Sequence, residues 1–380
     1  MKKLLLSILA GAAVATSANA QDAAPLTLSG SVDSYYRTTL NTSDQGANAT
    51  TATSFANGVG FNIGMINLVA SKEGEKGGFV ADVVFGPRGD EATFADANGL
   101  GGSANVVNQL YAYWNINDMF TFTLGNFNTF LGYEVISPSV NSNYSTSHMF
   151  SYGPFSHTGA KLDIAATDQL SFMVAALNPT DIKTLTPGAD TDGNNLFLGL
   201  QAGYEFDNGG VWVNYLGGNG GADGSDTTAY NQIDLTTGFD WTDNLYLGLN
   251  ATVASMSNSS ESDDNSGFWG IAGYATYGVT ESFSLNGRIE YFSDKNGFVG
   301  LPYATDDNGY TNGSVMDLTL SGNLSFGDLT LIPEIRADFY LDAVDDASAD
   351  ASEGSVWGSS KSGDLATGLG SVALAAVYTF

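Results

Sequence analysis

The chain has 380 residues, no cysteine and a formal net charge of −29 at pH 7. So acidic a surface excludes nucleic acid as a partner, because the phosphate backbone is itself strongly negative. The 22 Phe and 18 Tyr residues exclude a disordered acidic chain, which would be poor in aromatic residues.

The N-terminal stretch MKKLLLSILAGAAVATSANA has the three parts of a secretory signal peptide. Lys2 and Lys3 form a charged start, an apolar run follows, and the closing Ala-Asn-Ala fits the small-x-small cleavage rule. We therefore expect residues 1–20 to be removed and residues 21–380 to form one exported domain. A retained anchor is the alternative, but the apolar run is shorter than the ~20 residues of a membrane-spanning helix.

Downstream of this segment, short polar turns are followed by residues that alternate between apolar and polar. Clear copies are NDMFTFTLG from Asn117, TDNLYLGLN from Thr242 and TESFSLNGR from Thr280. Asp, Asn and Gly suit tight turns, and a period of two indicates strands. Longer segments rich in Asn, Asp, Ser and Gly lie between the copies. Seven short turns alternate with eight long loops, which predicts about sixteen strands.

This regular alternation predicts an all-β fold, a transmembrane antiparallel up-and-down β-barrel with short periplasmic turns and long extracellular loops. The strand Leu318-Thr319-Leu320-Ser321 shows one apolar and one polar face. A closed barrel is required because open sheet edges cannot exist in lipid. A soluble secreted β-sandwich is the structural alternative. Aromatic residues near the predicted strand ends are expected to form interfacial girdles: Trp114, Phe120, Phe239, Trp241, Tyr277 and Phe283.

The last residues, SVALAAVYTF, place apolar side chains at every second position up to Phe380. We expect this last strand to pair with the first, at about residues 26–38, and so to close the barrel. Its pattern resembles the signal that barrel-insertion machinery reads. Tyr378 and Phe380 are therefore the predicted insertion signal.

Residues 109–160 carry a more specific likeness. The runs GNFNTFLGYEVI (125–136) and GPFSHTG (153–159), with the step Asn143-Tyr144-Ser145, resemble the OmpL-like outer-membrane β-barrel porin family of Gram-negative bacteria. The resemblance implies a passive porin and brings no catalytic residues. Elsewhere in the chain the likeness is one of pattern only.

The longest predicted loop, residues 127–156, carries these motifs and is unusually apolar for an external loop. Phe130, Leu131, Tyr133 and Phe150 are among its apolar residues. We hypothesise that the loop folds into the barrel and forms the constriction. The alternative is that it packs over the rim or against a neighbouring subunit.

The alternation along the predicted strands also indicates which charged side chains face the lumen. Arg37, Arg288 and Arg336 fall on one arc of the wall, and Glu134 lies on the long loop. We hypothesise that this basic wall faces the acidic loop across the pore and sets a field there. The alternative is that the arginines pair with carboxylates of their own face. The charged side chains expected to line the pore are Asp33, Arg37, Asp82, Glu134, Lys161, Asp163, Asp234, Asp240, Arg288, Glu290, Asp317, Glu334, Arg336 and Asp338.

The sequence therefore predicts an outer-membrane porin for passive diffusion of small hydrophilic solutes and ions, with a weak preference for cations. A non-conducting structural or adhesive barrel is the alternative. An enzyme is not expected, because the only histidines, His148 and His157, have no nucleophile motif beside them. No cofactor or metal is expected. The expected partners are outer-membrane lipid and lipopolysaccharide, barrel-insertion machinery, the diffusing solutes and two further copies of the chain in a homotrimer.

Overall fold

The computed structural model describes residues 25–40, 53–94, 105–184, 196–219, 228–258, 265–299, 313–341 and 368–380. The predicted signal peptide lies outside the described residues. Sixteen antiparallel strands form one closed barrel in which each strand pairs with its neighbours in sequence, which confirms the predicted fold. The strands are β1 (Thr27–Thr39), β2 (Gly60–Gly74), β3 (Gly77–Phe85), β4 (Val107–Asn115), β5 (Phe120–Asn128), β6 (Ser156–Ala165), β7 (Leu170–Leu177), β8 (Phe197–Phe206), β9 (Gly209–Asn219), β10 (Thr228–Thr242), β11 (Leu245–Asn258), β12 (Ser266–Thr280), β13 (Phe283–Lys295), β14 (Gly313–Phe326), β15 (Leu329–Tyr340) and β16 (Gly368–Thr379).

Two short helices occur in the described residues, α1 (Pro87–Thr93) between β3 and β4 and α2 (His148–Tyr152) between β5 and β6. Neither of them is long and apolar enough to cross a membrane.

The barrel closes between its first and last strands, as the alternation near Phe380 predicts. Strand β16 pairs with β1 from Ser31, opposite Thr379, to Thr39, opposite Ser371. Beyond this ladder, Gly30 and Phe380 exchange backbone hydrogen bonds of 3.0 and 3.1 Å. Every strand edge is thereby paired.

The seven short connections explain the repeated turn motifs of the sequence, and each contains two or four residues. In three of them the hydroxyl of the first Thr accepts backbone N–H bonds from residues two or three positions later. Thr167 accepts from Leu170 at 2.9 Å, Thr242 from Leu245 at 3.1 Å, and Thr280 from Ser282 at 3.3 Å. The motif therefore fixes the turn and sets the register of the strand that follows.

The two faces of the wall differ as expected for a barrel in lipid. On β14, Leu318 and Leu320 are exposed on the outer face, whereas Asp317 and Thr319 are buried on the inner face. Three of the six aromatic residues predicted for the girdle, Trp114, Trp241 and Tyr277, have large exposed fractions.

The buried core lies inside the barrel rather than between two layers. Met149, from the connection between β5 and β6, packs with Phe268 and Phe292 of the inner wall. Phe150 from the same connection packs with Phe55 and Val84. The inner wall is thus the surface on which the functional residues are assembled.

Candidate functional site: the lumen and its internal loop

The connection between β5 and β6, residues 129–155, lies inside the barrel and is called loop 3 below. Near its start, Gly132 donates its N–H to Asp234 of β10 at 3.0 Å. Further along, the Tyr144 hydroxyl donates to Asp33 of β1 at 2.5 Å. Because both carboxylates belong to the inner face, loop 3 crosses the lumen between them.

Carboxylates accept hydrogen bonds from the backbone N–H groups of residues 144, 145 and 147–149. Glu334 of β15 accepts from Tyr144 at 2.7 Å and from Ser145 at 3.1 Å. Glu290 of β13 accepts from His148 and Met149, both at 2.7 Å.

Glu134, from loop 3 itself, accepts from Ser147 at 2.7 Å. A carboxylate that accepts two N–H bonds satisfies donors that would otherwise be buried without partners.

Three arginines hold the carbonyl groups of the same segment. Arg88 of α1 donates to the carbonyl of residue 144 at 3.1 Å. Arg288 of β13 donates to the carbonyl of residue 145, and Arg336 of β15 to that of residue 146, each at 2.7 Å. We call residues 144–149, together with these arginines and glutamates, the loop clamp.

The arginines of the clamp also belong to a buried ionic network. Arg288 lies 2.8 Å from Glu134 and 3.2 Å from Asp317, while Arg336 lies 2.7 Å from Asp317 and 2.8 Å from Asp338. All these side chains are at most 5% exposed. Removing one partner of such a buried pair costs about 3–5 kcal/mol, because the other charge is left without compensation.

The prediction that Glu134 and the arginines face each other across the pore is wrong. Glu134 does not face Arg288 across open water but contacts it directly, because loop 3 lies against the arginine arc. The alternative, pairing within the wall, holds for Arg336 with Asp338 and for Arg288 with Asp317 of the neighbouring strand. The third arginine, Arg37, donates to the Asn57 carbonyl at 3.1 Å and is also buried.

Lys161 and Asp163 of β6 lie on a different part of the inner wall and keep contact with solvent. Their side chains are 25% and 39% exposed and form an ion pair of 2.7 Å. The Lys161 ammonium also lies 5.5 Å from the centre of the Phe127 ring. Of the fourteen charged side chains expected to line the pore, eleven are buried. Lys161 and Asp163 are partly exposed, and Asp240, near the short turns, is exposed.

The end of loop 3 is fixed from outside the strands by Asp181. Its carboxylate accepts N–H bonds from Phe155 at 2.9 Å and Ser156 at 2.7 Å. Burial raises the pKa of this carboxyl to about 7. The two N–H bonds and the charge of Lys183 lower the pKa and so offset part of this effect. Burial lowers the pKa of Lys183 to about 8, and its ammonium donates to the Thr93 carbonyl at 2.9 Å.

The two histidines are buried, and each makes polar contacts through its Nε2 atom. His148 Nε2 lies 3.0 Å from Asp338 and 3.3 Å from Arg336, within the clamp. His157 Nε2 lies 3.0 Å from the Thr129 hydroxyl at the base of loop 3. In the described part of the chain, no group of three or more His, Asp or Glu residues could hold a metal ion.

Two clamp-related residues, Arg88 and Asp181, were not identified from the sequence. Arg88 is the second residue of a seven-residue helix whose position against loop 3 depends on the fold, although Pro87 at the first position marks the helix start. Asp181 has a positive φ of 62°, for which Asp is among the better-tolerated residues, but this signal does not reveal its partners.

Comparisons with known proteins agree with this architecture. The family model described as "Putative beta-barrel porin-2, OmpL-like" matches residues 25–380. No curated protein sequence is significantly similar to the chain.

Among solved structures, an anion-selective porin from Comamonas acidovorans is similar with a TM-score of 0.60 and 10% identity, covering 94% of this chain and 100% of that one. OmpT of Vibrio cholerae is similar with a TM-score of 0.58 and 11% identity, covering 95% of this chain and 99% of that one. The outer-membrane channel DcaP of Acinetobacter baumannii is similar with a TM-score of 0.57 and 12% identity, covering 94% of this chain and 98% of that one. At these identities the likeness concerns the fold.

Proposed function

Since the chain belongs to the OmpL-like β-barrel porin family, we propose that it is an outer-membrane porin through which small hydrophilic solutes and ions diffuse passively. The observation that carries this proposal is the uneven inner wall. Loop 3 covers the arginine arc, whereas Lys161 and Asp163 on β6 remain open to solvent. The diffusion path therefore runs along the β6 side of the lumen, and loop 3 sets its width.

Diffusion can be tested with the mature chain refolded into liposomes. Swelling in sugars of increasing size should be fast for small solutes and should fall sharply above one size. Lys161→Met and Asp163→Asn should change the swelling rates, because both side chains line the proposed path. Equal swelling with and without protein, when folding is verified by the shift in mobility between cold and boiled samples, would contradict the proposal.

The weak cation preference is a finer proposal. It is supported by the formal net charge of −29 and by the exposure of the Asp163 carboxylate. A carboxylate with solvent around it attracts cations at the path, although Lys161 offsets part of this charge. A reversal potential in a KCl gradient should favour K⁺, and Asp163→Asn should shift it toward Cl⁻. A wild-type potential that favours Cl⁻ would contradict the proposal.

A non-conducting barrel is the second candidate, and one observation favours it. Inner-wall residues from several strands are buried at the level of loop 3, including Asn214 on β9, Asp234 on β10 and Phe292 on β13. Under this proposal, the wild-type barrel would carry no current, and a variant with a weakened clamp, such as Glu290→Ala, would carry one.

The location and the partners extend the proposal. We place the protein in the outer membrane of a Gram-negative cell, exported by a cleaved signal peptide, in contact with lipid and lipopolysaccharide and inserted by barrel-assembly machinery. A homotrimer is supported by one similar structure, an in-vitro folded OmpT of Vibrio cholerae in a trimer form, with 12% identity and a TM-score of 0.54. Mass measurement of the mature chain in detergent would test both the cleavage site and the trimer.

A further inference from the structure

Two aromatic side chains lie flat on the inner wall, between loop 3 and the short turns. They are Trp212 of β9 and Tyr246 of β11. The alternation of their strands places them inside, because Asn214 and Asn250, two and four residues further along, are buried and reach Asp234 in the lumen.

Glycines on neighbouring positions make room for these rings. A Cβ atom on Gly203 would lie 2.6 Å from Trp212 Cδ1, and one on Gly210 would lie 2.5 Å from Trp212 Cη2. The indole therefore covers both glycines along its whole length. The hydroxyl end of Tyr246 covers Gly238 in the same way. Side chains that lie over inward-facing glycines present their faces, not their edges, to the lumen.

The two rings are neighbours. Gly210 and Gly238 are directly opposite each other in the ladder between β9 and β10. Opposite residues in an antiparallel pair have Cα atoms about 4.5–5.5 Å apart. The rings that cover these two glycines are therefore adjacent on the inner wall, and we call them the aromatic platform. Loop 3 adjoins it, because Tyr133 lies over Gly248, two residues from Tyr246 on the same strand.

Two carboxylates flank the platform on the side of the short turns. Glu205 is opposite Gly210 in the ladder between β8 and β9, and Asp240 is opposite Tyr246 in the ladder between β10 and β11. Both are exposed, whereas Trp212 and Tyr246 are half-buried. Within the described residues, the ion pairs involve neither carboxylate. Their negative charge is therefore available to a ligand.

From this juxtaposition we propose that the aromatic platform is a binding site for small organic cations of the quaternary or alkylammonium class. Aromatic faces attract such cations through the ring quadrupole, and Trp is the strongest of the aromatic side chains in this respect. The carboxylates add charge complementarity and the half-exposed rings add apolar contact. A neutral solute of the same shape gains only the apolar contact and binds more weakly.

The site goes beyond passive diffusion, and equilibrium binding to it does not require an open pore. The experiment is calorimetric titration of the mature, detergent-refolded barrel, with folding verified by heat-modifiable mobility. The probe is choline, and the matched neutral probe is 3,3-dimethyl-1-butanol, which has the same shape without the charge. We expect choline to bind at least about three-fold more tightly than the alcohol, the size of one exposed cation–π contact.

Variants locate the site. Trp212→Leu and the double variant Glu205→Gln with Asp240→Asn should each weaken choline binding by about three-fold or more. Two controls should leave it unchanged: Trp241→Leu, which removes an exposed Trp, and Glu75→Gln, which removes an exposed carboxylate from the short turn between β2 and β3.

Several results would overturn the proposal. They are no choline binding to the folded wild type, equal affinity for choline and the alcohol, tighter binding of glucose than of choline, or an equal loss in the Glu75→Gln control. Because none of these results depends on conductance, they can be separated from a failure of the porin proposal.

Discussion

Replacing Glu290 by Ala should release loop 3 from the wall of the barrel. The Glu290 carboxylate is fully buried and accepts the N–H groups of His148 and Met149, both at 2.7 Å. Alanine leaves both donors buried without this acceptor. Each such donor costs about 1–3 kcal/mol, so the attachment of loop 3 should weaken by about 2–6 kcal/mol. Opening of the loop then becomes about 30-fold or more frequent.

Limited proteolysis measures this opening, because a protease cuts chains that have locally left the folded structure. Chymotrypsin acts after aromatic residues, and loop 3 offers Phe150 and Tyr152 next to the clamp. Cleavage in this segment, followed by mass spectrometry of the detergent-refolded barrel, should be much faster in Glu290→Ala than in the wild type. Glu290→Gln keeps one of the two acceptor oxygens, so its cleavage rate should lie between those of the wild type and Glu290→Ala.

The matched control is Asp163→Ala, which also removes a carboxylate from the inner wall. Asp163 pairs with Lys161 and is 39% exposed, and none of its hydrogen bonds reaches loop 3. An exposed pair contributes about 0–1 kcal/mol, so this variant should be cleaved at the wild-type rate. Equal protection of loop 3 in Glu290→Ala and in the control would refute the role of the clamp.

Three further predictions concern other parts of the molecule. Burial raises the pKa of the Asp181 carboxyl to about 7. Between pH ~4 and 7 the unfolded chain has lost this proton whereas the folded chain keeps it, so the midpoint of thermal unfolding should fall as pH rises. Asp181→Asn should flatten this dependence of the midpoint on pH. Arg336→Met should lower the unfolding midpoint strongly, since about 3–5 kcal/mol is lost when a buried pair is broken; an unchanged midpoint would contradict the network. Phe380→Ser should slow insertion into the outer membrane while refolding in detergent stays intact, and unchanged insertion in cells would show that Phe380 is not the signal.

The strands and turns could be predicted from the sequence because their causes are local. A period of two specifies a strand with one lipid-facing side, and a turn such as Thr242 to Leu245 is held by a hydroxyl that bonds its own backbone. Each of these signals lies within a few residues. The number of strands and the closure at Phe380 follow from repeating them.

The internal site could be predicted only in its composition. The inward orientation of Glu290, Glu334 and Arg336 follows from alternation, but their partners lie more than 140 residues away in the chain. Which carboxylate meets which N–H group depends on the course of loop 3 through the lumen, and no local pattern encodes it. For the same reason Glu134 was expected opposite Arg288 rather than in contact with it.

The aromatic platform could be predicted from the sequence only in part. Inward-facing glycines at 203, 210 and 238 and inward-facing aromatic residues nearby are visible in the sequence once the strands are known. Their juxtaposition depends on the register between strands, which places Gly210 opposite Gly238. Short turns join β8 to β9 and β10 to β11, but the longer segment 220–227 joins β9 to β10. The sequence therefore indicates which side chains face inward but not this register.

The measurement that tests the central claim most directly is single-channel recording of the refolded mature chain in a planar bilayer. We expect stepwise openings in the wild type, a reversal potential that favours K⁺, and larger or noisier steps in Glu290→Ala, because loop 3 is then less firmly held. Folded wild-type protein that gives no current would contradict the porin proposal. Current that appears only in Glu290→Ala would show that loop 3 closes the barrel.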